Sequence, residues 1–97
     1  MAVADHGDDV ADLIELLAAH LEATAEMPLN EDANRWLGEA GAIASDVAES
    51  DVSAETLTDR VETVMDLLSE VDGTGHDEAD QHVAAARRAG ERILERR

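Results

Sequence analysis

Four stretches of this chain carry apolar residues at three- and four-residue steps, and only a helix puts residues so spaced on one face. In the first stretch these are Val10, Leu13, Ile14, Leu17, Leu21 and Thr24. In the second they are Ala33, Trp36, Leu37, Ala40, Ile43, Ala44 and Val47. The third, Leu57, Val61, Val64, Leu68 and Val71, is a regular heptad seam. The fourth repeats that rhythm with smaller residues, Ala79, Val83, Ala86, Gly90 and Ile93, with Leu94 beside them.

The breaks between these stretches are chemically distinct. Asp8, Asp9 and Asp12 suit the first turn of a helix, where the dipole favours anions. Pro28 ends that helix, because the residue before a proline is pushed out of helical geometry. Asn30 and Ser53 are good N-caps for the second and third helices. Asp72-Gly73-Thr74-Gly75 is turn chemistry, with two glycines able to adopt positive φ. The reading is one helical domain over residues 1–97, with helices at 8–27, 31–49, 54–71 and 77–96 and a flexible segment at 1–7.

Short links between helices of similar length favour antiparallel neighbours. The expected fold is all-α, an antiparallel up-down-up-down four-helix bundle. Glycine and alanine on the inner faces would let the second and fourth helices approach closely. A three-helix core with a projecting fourth helix is the alternative, because the fourth helix offers mostly small core residues.

The charge is extreme: 24 acidic residues against seven arginines, no lysine, and a formal net charge of −17 on 97 residues. High charge with one aromatic residue can signal disorder. Here the 25 Val, Leu, Ile, Met and Trp residues fall mostly at helical spacing, and disorder does not explain that. Like charge at this density destabilises a compact state in dilute buffer. At molar salt the screening length falls to about 3 Å and the repulsion fades. Acidic surface, absent lysine and 18 alanines together point to a halophilic cytoplasm. No signal-peptide pattern and no membrane-length apolar run is present, so a cytoplasmic location is expected and a membrane partner is not. With no cysteine there is no thiolate chemistry.

Two surfaces stand out as candidate interfaces. Opposite Trp36 the second helix presents Asn34, Gly38, Gly41, Ala42, Ser45 and Ala48, an almost uncharged face in a highly charged chain. Internal packing is the first explanation of it, and a contact with another chain is the second. Trp36 itself reads as core. Near the C-terminus the charge reverses: residues 86–97 hold five arginines and two glutamates, while residues 1–85 carry −20. Arg88, Arg92 and Arg96 form one ladder along the fourth helix. Complementing the helix dipole and pairing with Glu91 and Glu95 would account for them. Docking onto an acidic partner, or onto a second copy as a homodimer, is the sharper reading. A nucleic-acid partner is not expected, since the overall field repels it and no aromatics are available for stacking.

Catalytic and metal-binding patterns are weak. His76, Glu78, Asp80 and His82 cluster at the start of the fourth helix, but no HExxH or paired ExxH spacing is present. Glu62 with Asp66, and Glu22 with Glu26, are carboxylates four apart, each expected on a solvated face. They leave a carboxylate-based Mg- or Mn-dependent nucleotide or phosphate-ester hydrolase as the alternative function. His20 is expected at the boundary of the apolar face. No catalytic residue and no cofactor is assigned.

The stretches His20-Leu21-Glu22-Ala23-Thr24-Ala25, Arg35-Trp36-Leu37-Gly38-Glu39-Ala40 and Glu78-Ala79-Asp80-Gln81-His82-Val83-Ala84-Ala85-Ala86-Arg87 resemble small uncharacterised haloarchaeal all-helical proteins. That resemblance implies a halophilic origin and carries no activity. The function expected is therefore a non-catalytic protein–protein interaction or accessory module, with Gly38, Gly41, Ala42, Ser45, Arg88, Arg92 and Arg96 as its candidate interface.

Overall fold

A computed structural model describes residues 9–96. It contains α1 (Val10–Thr24), α2 (Glu31–Glu49), α3 (Ala54–Ser69) and α4 (Asp77–Glu95). α1 packs on α2 and α4, and α3 packs on the same two helices. The result is a four-helix bundle in which every sequential pair, and α1 with α4, lie side by side. The expected segment 1–7 and the expected helix start at residue 8 lie outside the described residues.

The core is the set of stripes read from the spacing. Leu17, Leu21, Val61, Val64, Leu68 and Ile93 are almost wholly buried, with Leu13, Leu37, Ala40, Ala44, Ala79 and Ala86 around them. α4 does not project. Its most extensive partner is α1, and its small residues let the neighbouring helices approach. At Gly90 a methyl group would overlap the Met65 Sδ and lie 3.3 Å from its Cγ. Met65 of α3 therefore fills the space the glycine leaves. The expected close approach of the second and fourth helices is not found. α2 and α4 sit diagonally across the bundle, and the most extensive seam is α1–α4.

Capping sets the helix starts. The Asn30 side chain accepts from the Ala33 N–H at 2.8 Å, and Ser53 accepts from the Thr56 N–H at 3.1 Å. His76 caps α4 through its Nδ1, which accepts from the Ala79 N–H at 3.3 Å. The ends come earlier than the sequence suggested. α1 stops at Thr24, not at 27, because its last turn tightens into i→i+3 bonds: the Ala25 N–H donates to Glu22 O and the Met27 N–H to Thr24 O. The Thr24 hydroxyl also donates to Leu21 O at 2.6 Å. α3 stops at Ser69, two residues short of 71, by the same tightening at Glu70 and Val71.

One end of the bundle is tied by its loops. The Asn30 N–H donates to Thr74 O at 2.8 Å and its Nδ2 donates to Gly73 O at 2.9 Å, joining the α1–α2 link to the α3–α4 link. Thr74 is fully buried, and its N–H and hydroxyl both point at Asp80 Oδ1, at 2.9 and 2.8 Å. Those two donors hold the Asp80 carboxyl below the usual carboxylate range, with His76 nearby adding to the effect. Of the two turn glycines only Gly75 takes positive φ, at 82°. From the neighbouring α4, Arg87 reaches the C-terminal end of α3, donating from Nη2 to Leu68 O at 2.5 Å and to Val71 O at 3.2 Å.

Candidate functional site

The α1–α4 seam carries the one exposed large hydrophobic side chain among the described residues, Leu16, at 46% exposure. Its position follows from the helical wheel. Leu13, Leu17 and Leu21 point inward, and Leu16 is set about 100° from Leu17, outside the buried stripe. Beside it lies a cleft of about 290 Å³ lined by Leu13, Leu16 and His20 of α1 and by Ala85, Arg88, Ala89 and Arg92 of α4. The floor is apolar, because Leu13 and Ala89 are buried. The rim is basic, because Arg88 and Arg92 are one turn apart and both exposed. A chain of net charge −17 thus presents two guanidinium groups next to exposed leucine.

His20 and His82 meet across the same seam. Their Nδ1 atoms are 2.9 Å apart and their ring centroids 5.2 Å apart. A hydrogen bond between two Nδ1 atoms needs one protonated and one lone-pair nitrogen, so at least one ring is neutral. Glu78 lies 4.0 Å from His82 Nε2. A proton on that nitrogen suits the carboxylate, which leaves His82 Nδ1 to accept and His20 Nδ1 to donate. Partial burial lowers the His20 pKa from 6.5, and the nearby His82 and Arg88 lower it further.

The ladder of the fourth helix is divided by the structure. Arg88 and Arg92 share the cleft with Leu16, whereas Arg96 lies in a separate cleft of about 150 Å³ with Val10, Ala54, Leu57, Thr58 and Ile93. The small-residue face of α2 is divided as well. Gly41 faces α1, where an added Cβ would sit 3.6 Å from the Leu21 Cβ. Ser45 also turns to α1, its hydroxyl donating to Glu22 Oε2 at 2.5 Å. Gly38 borders open space, and Ala42 is exposed. Trp36, expected in the core, is only half-buried at its edge, and the Arg35 guanidinium stands 5.2 Å from the ring centroid. At 100° per residue it falls at the flank of the buried stripe Ala33, Leu37, Ala40, Ala44 and Val47, as does the half-buried Ile43.

The acidic and histidine clusters resolve into capping and loop contacts. His76 caps α4, Asp80 holds Thr74, and His82 meets His20. Glu22, Glu26, Glu62 and Asp66 are exposed. Among the described residues no three histidine, aspartate or glutamate side chains come together to hold a metal ion. No helix among them is long and apolar enough to cross a membrane.

A family profile, the domain of unknown function DUF8152, matches residues 13–97. The chain belongs to this family. Neither the curated proteins nor the solved structures contain a significant match to it. The DUF8152 match takes in all of α2, α3 and α4 and most of α1, so both sides of the Leu16 cleft fall within it.

The pairing of Leu16 with Arg88 and Arg92, and of His20 with His82, escaped the sequence reading. Each joins residues more than sixty positions apart, and only the placement of His20 at the edge of the apolar face hinted at a boundary role.

Proposed function

We propose that this DUF8152 chain is a non-catalytic protein-interaction or accessory module of a halophilic cytoplasm, and that it docks through the α1/α4 face. The observation that carries the reading is the Leu16 cleft: the single exposed large apolar side chain of the described residues, beside Arg88 and Arg92. Exposed apolar area with arginine beside it supports this, because arginine is enriched at interfaces and apolar surface gains by being covered. The setting follows from charge. A net −17 with no lysine suits a solvent of high ionic strength, where short-range contacts survive and long-range repulsion does not. The exposed parts of the α2 face, Gly38 and Ala42, are a smaller second candidate surface.

The test is light-scattering mass on a sizing column in molar KCl, for the chain alone and after incubation with clarified lysate of a halophilic host. The expected result is a defined complex larger than the 10.4 kDa chain, lost when Leu16→Asp is introduced. A chain that stays at its own mass in both samples would overturn the reading. The hydrolase alternative has a separate signature, a stoichiometric and saturable Mg²⁺ or Mn²⁺ site by calorimetry at high salt; diffuse binding alone is the outcome that the module reading expects.

A further inference from the structure

Resting on the interaction-module reading, we infer that the partner at the α1/α4 face is an acidic amphipathic helix of a different protein, seated with an apolar side chain against Leu16 and carboxylates against Arg88 and Arg92. The shape comes first. α1 and α4 lie side by side, and the cleft between them is lined from both helices, so its long direction follows theirs. A third helix laid along such a groove buries its apolar face by ridge-and-groove packing. Ala85, which lines the cleft with Leu16, and Ala19, about one turn along α1 from Leu16, are small and at least partly exposed and leave room for that approach.

Charge then selects the occupant. Residues 86–97 are net +3 in a chain that is otherwise −20, and two of the five arginines there stand at the rim of this cleft. Arg88 is exposed and makes no salt bridge among the described residues, although acidic residues outnumber arginines by more than three to one. An arginine kept for the bundle's own stability would be paired, as Arg87 is with the end of α3. Carboxylates on a partner supply bidentate acceptors that remain effective at contact distance in molar salt.

Symmetry disfavours a second copy. A two-fold dimer through this face sets the same patch against itself. With the two-fold axis on the cleft, Arg88 and Arg92 of one protomer would approach those of the other, and like charges would meet. A different chain has no such constraint.

The test uses two synthetic amphipathic helices, one of leucine and glutamate and one of leucine and glutamine in the same pattern. Each is titrated into the full chain in molar KCl, with amide shifts followed by NMR. The expected result is that the glutamate helix shifts Leu16, Ala19, Ala85 and Arg88 and binds more tightly than the glutamine helix. Arg88→Glu should weaken the glutamate helix about tenfold and leave the glutamine helix unchanged. Arg88→Gln, milder and equally exposed, should give an intermediate loss. Equal binding of the two helices, shifts confined to other faces, or no binding of either would overturn the inference. So would a concentration-dependent doubling of mass abolished by Leu16→Asp, which would assign the face to a second copy. A lysate complex insensitive to Arg88→Glu sinks this inference alone; the absence of any complex sinks the interaction reading with it.

Discussion

Arg87 and Arg88 are neighbours in sequence with opposite duties, and replacing each by methionine separates them. The Arg87 guanidinium donates to Leu68 O at 2.5 Å and to Val71 O at 3.2 Å, two carbonyls at the end of α3, of which Leu68 O also accepts from the Val71 N–H at 3.1 Å. A hydrogen bond from a charged donor is worth about 1.5–3 kcal/mol. Arg87 is only half-buried, and water can reach the freed carbonyls, so the combined loss in Arg87→Met is set at about 2 kcal/mol. For a domain of this size that lowers Tm by roughly 10 °C. Arg88 touches no carbonyl, so Arg88→Met should stay within about 0.5 kcal/mol of wild type. Methionine keeps much of the apolar stem, so the difference reports the guanidinium. The assay is thermal unfolding by far-ultraviolet circular dichroism in molar KCl. Because the contact is a hydrogen bond at close range, the Arg87 deficit should persist as KCl is raised. Equal destabilisation by the two substitutions, or an Arg87 deficit that disappears with salt, would refute the reasoning.

The glycines give opposed expectations. Gly38→Ala places a methyl in open space and should raise stability by about 0.5–1 kcal/mol in chemical denaturation. Gly90→Ala drives a methyl into Met65 and should lower it by about 1 kcal/mol, the packing strain outweighing the helix propensity; with Met65→Ala in place the same change should turn favourable. Asn30→Ala removes the α2 cap and the bond to Gly73 O and should cost about 1–2 kcal/mol, read from the denaturation midpoint. The pH dependence follows from His20. Its folded pKa lies below 6.5, so the folded state binds fewer protons; the stability it contributes is complete above 6.5 and is lost as pH falls through the folded value. A His20→Gln chain should show a flatter Tm profile in that window, and an unchanged profile would remove the His20–His82 contact as its source.

The bundle was legible because each helix is amphipathic enough to mark its own buried face. The heptad of α3 names its core directly: Val61, Val64, Leu68 and Val71 are all buried, with Leu57 at the edge. The caps Asn30 and Ser53 were legible for the same local reason. What the spacing could not carry was the identity of neighbours. Small residues on α2 and α4 suggested that these two helices meet, yet the glycine that admits a close neighbour is Gly90, and the neighbour is Met65 of α3. A helical wheel ranks residues by direction and says nothing of which helix stands opposite. Trp36 shows a second limit: it shares a face with Ala40 and Val47, but it stands at the flank of the buried stripe and is only partly buried. The candidate site was legible by half. The reversal of charge singled out Arg88 and Arg92, while Leu16 passed as one apolar residue among many until α1 and α4 stood side by side.

The most direct test of the account is photo-crosslinking from position 16 in a halophilic host at its working salt. A photoreactive residue in place of Leu16 should yield one major adduct with a different, acidic protein, and Arg88→Glu should suppress it. No adduct from position 16, or an adduct of twice the 10.4 kDa chain, would contradict it.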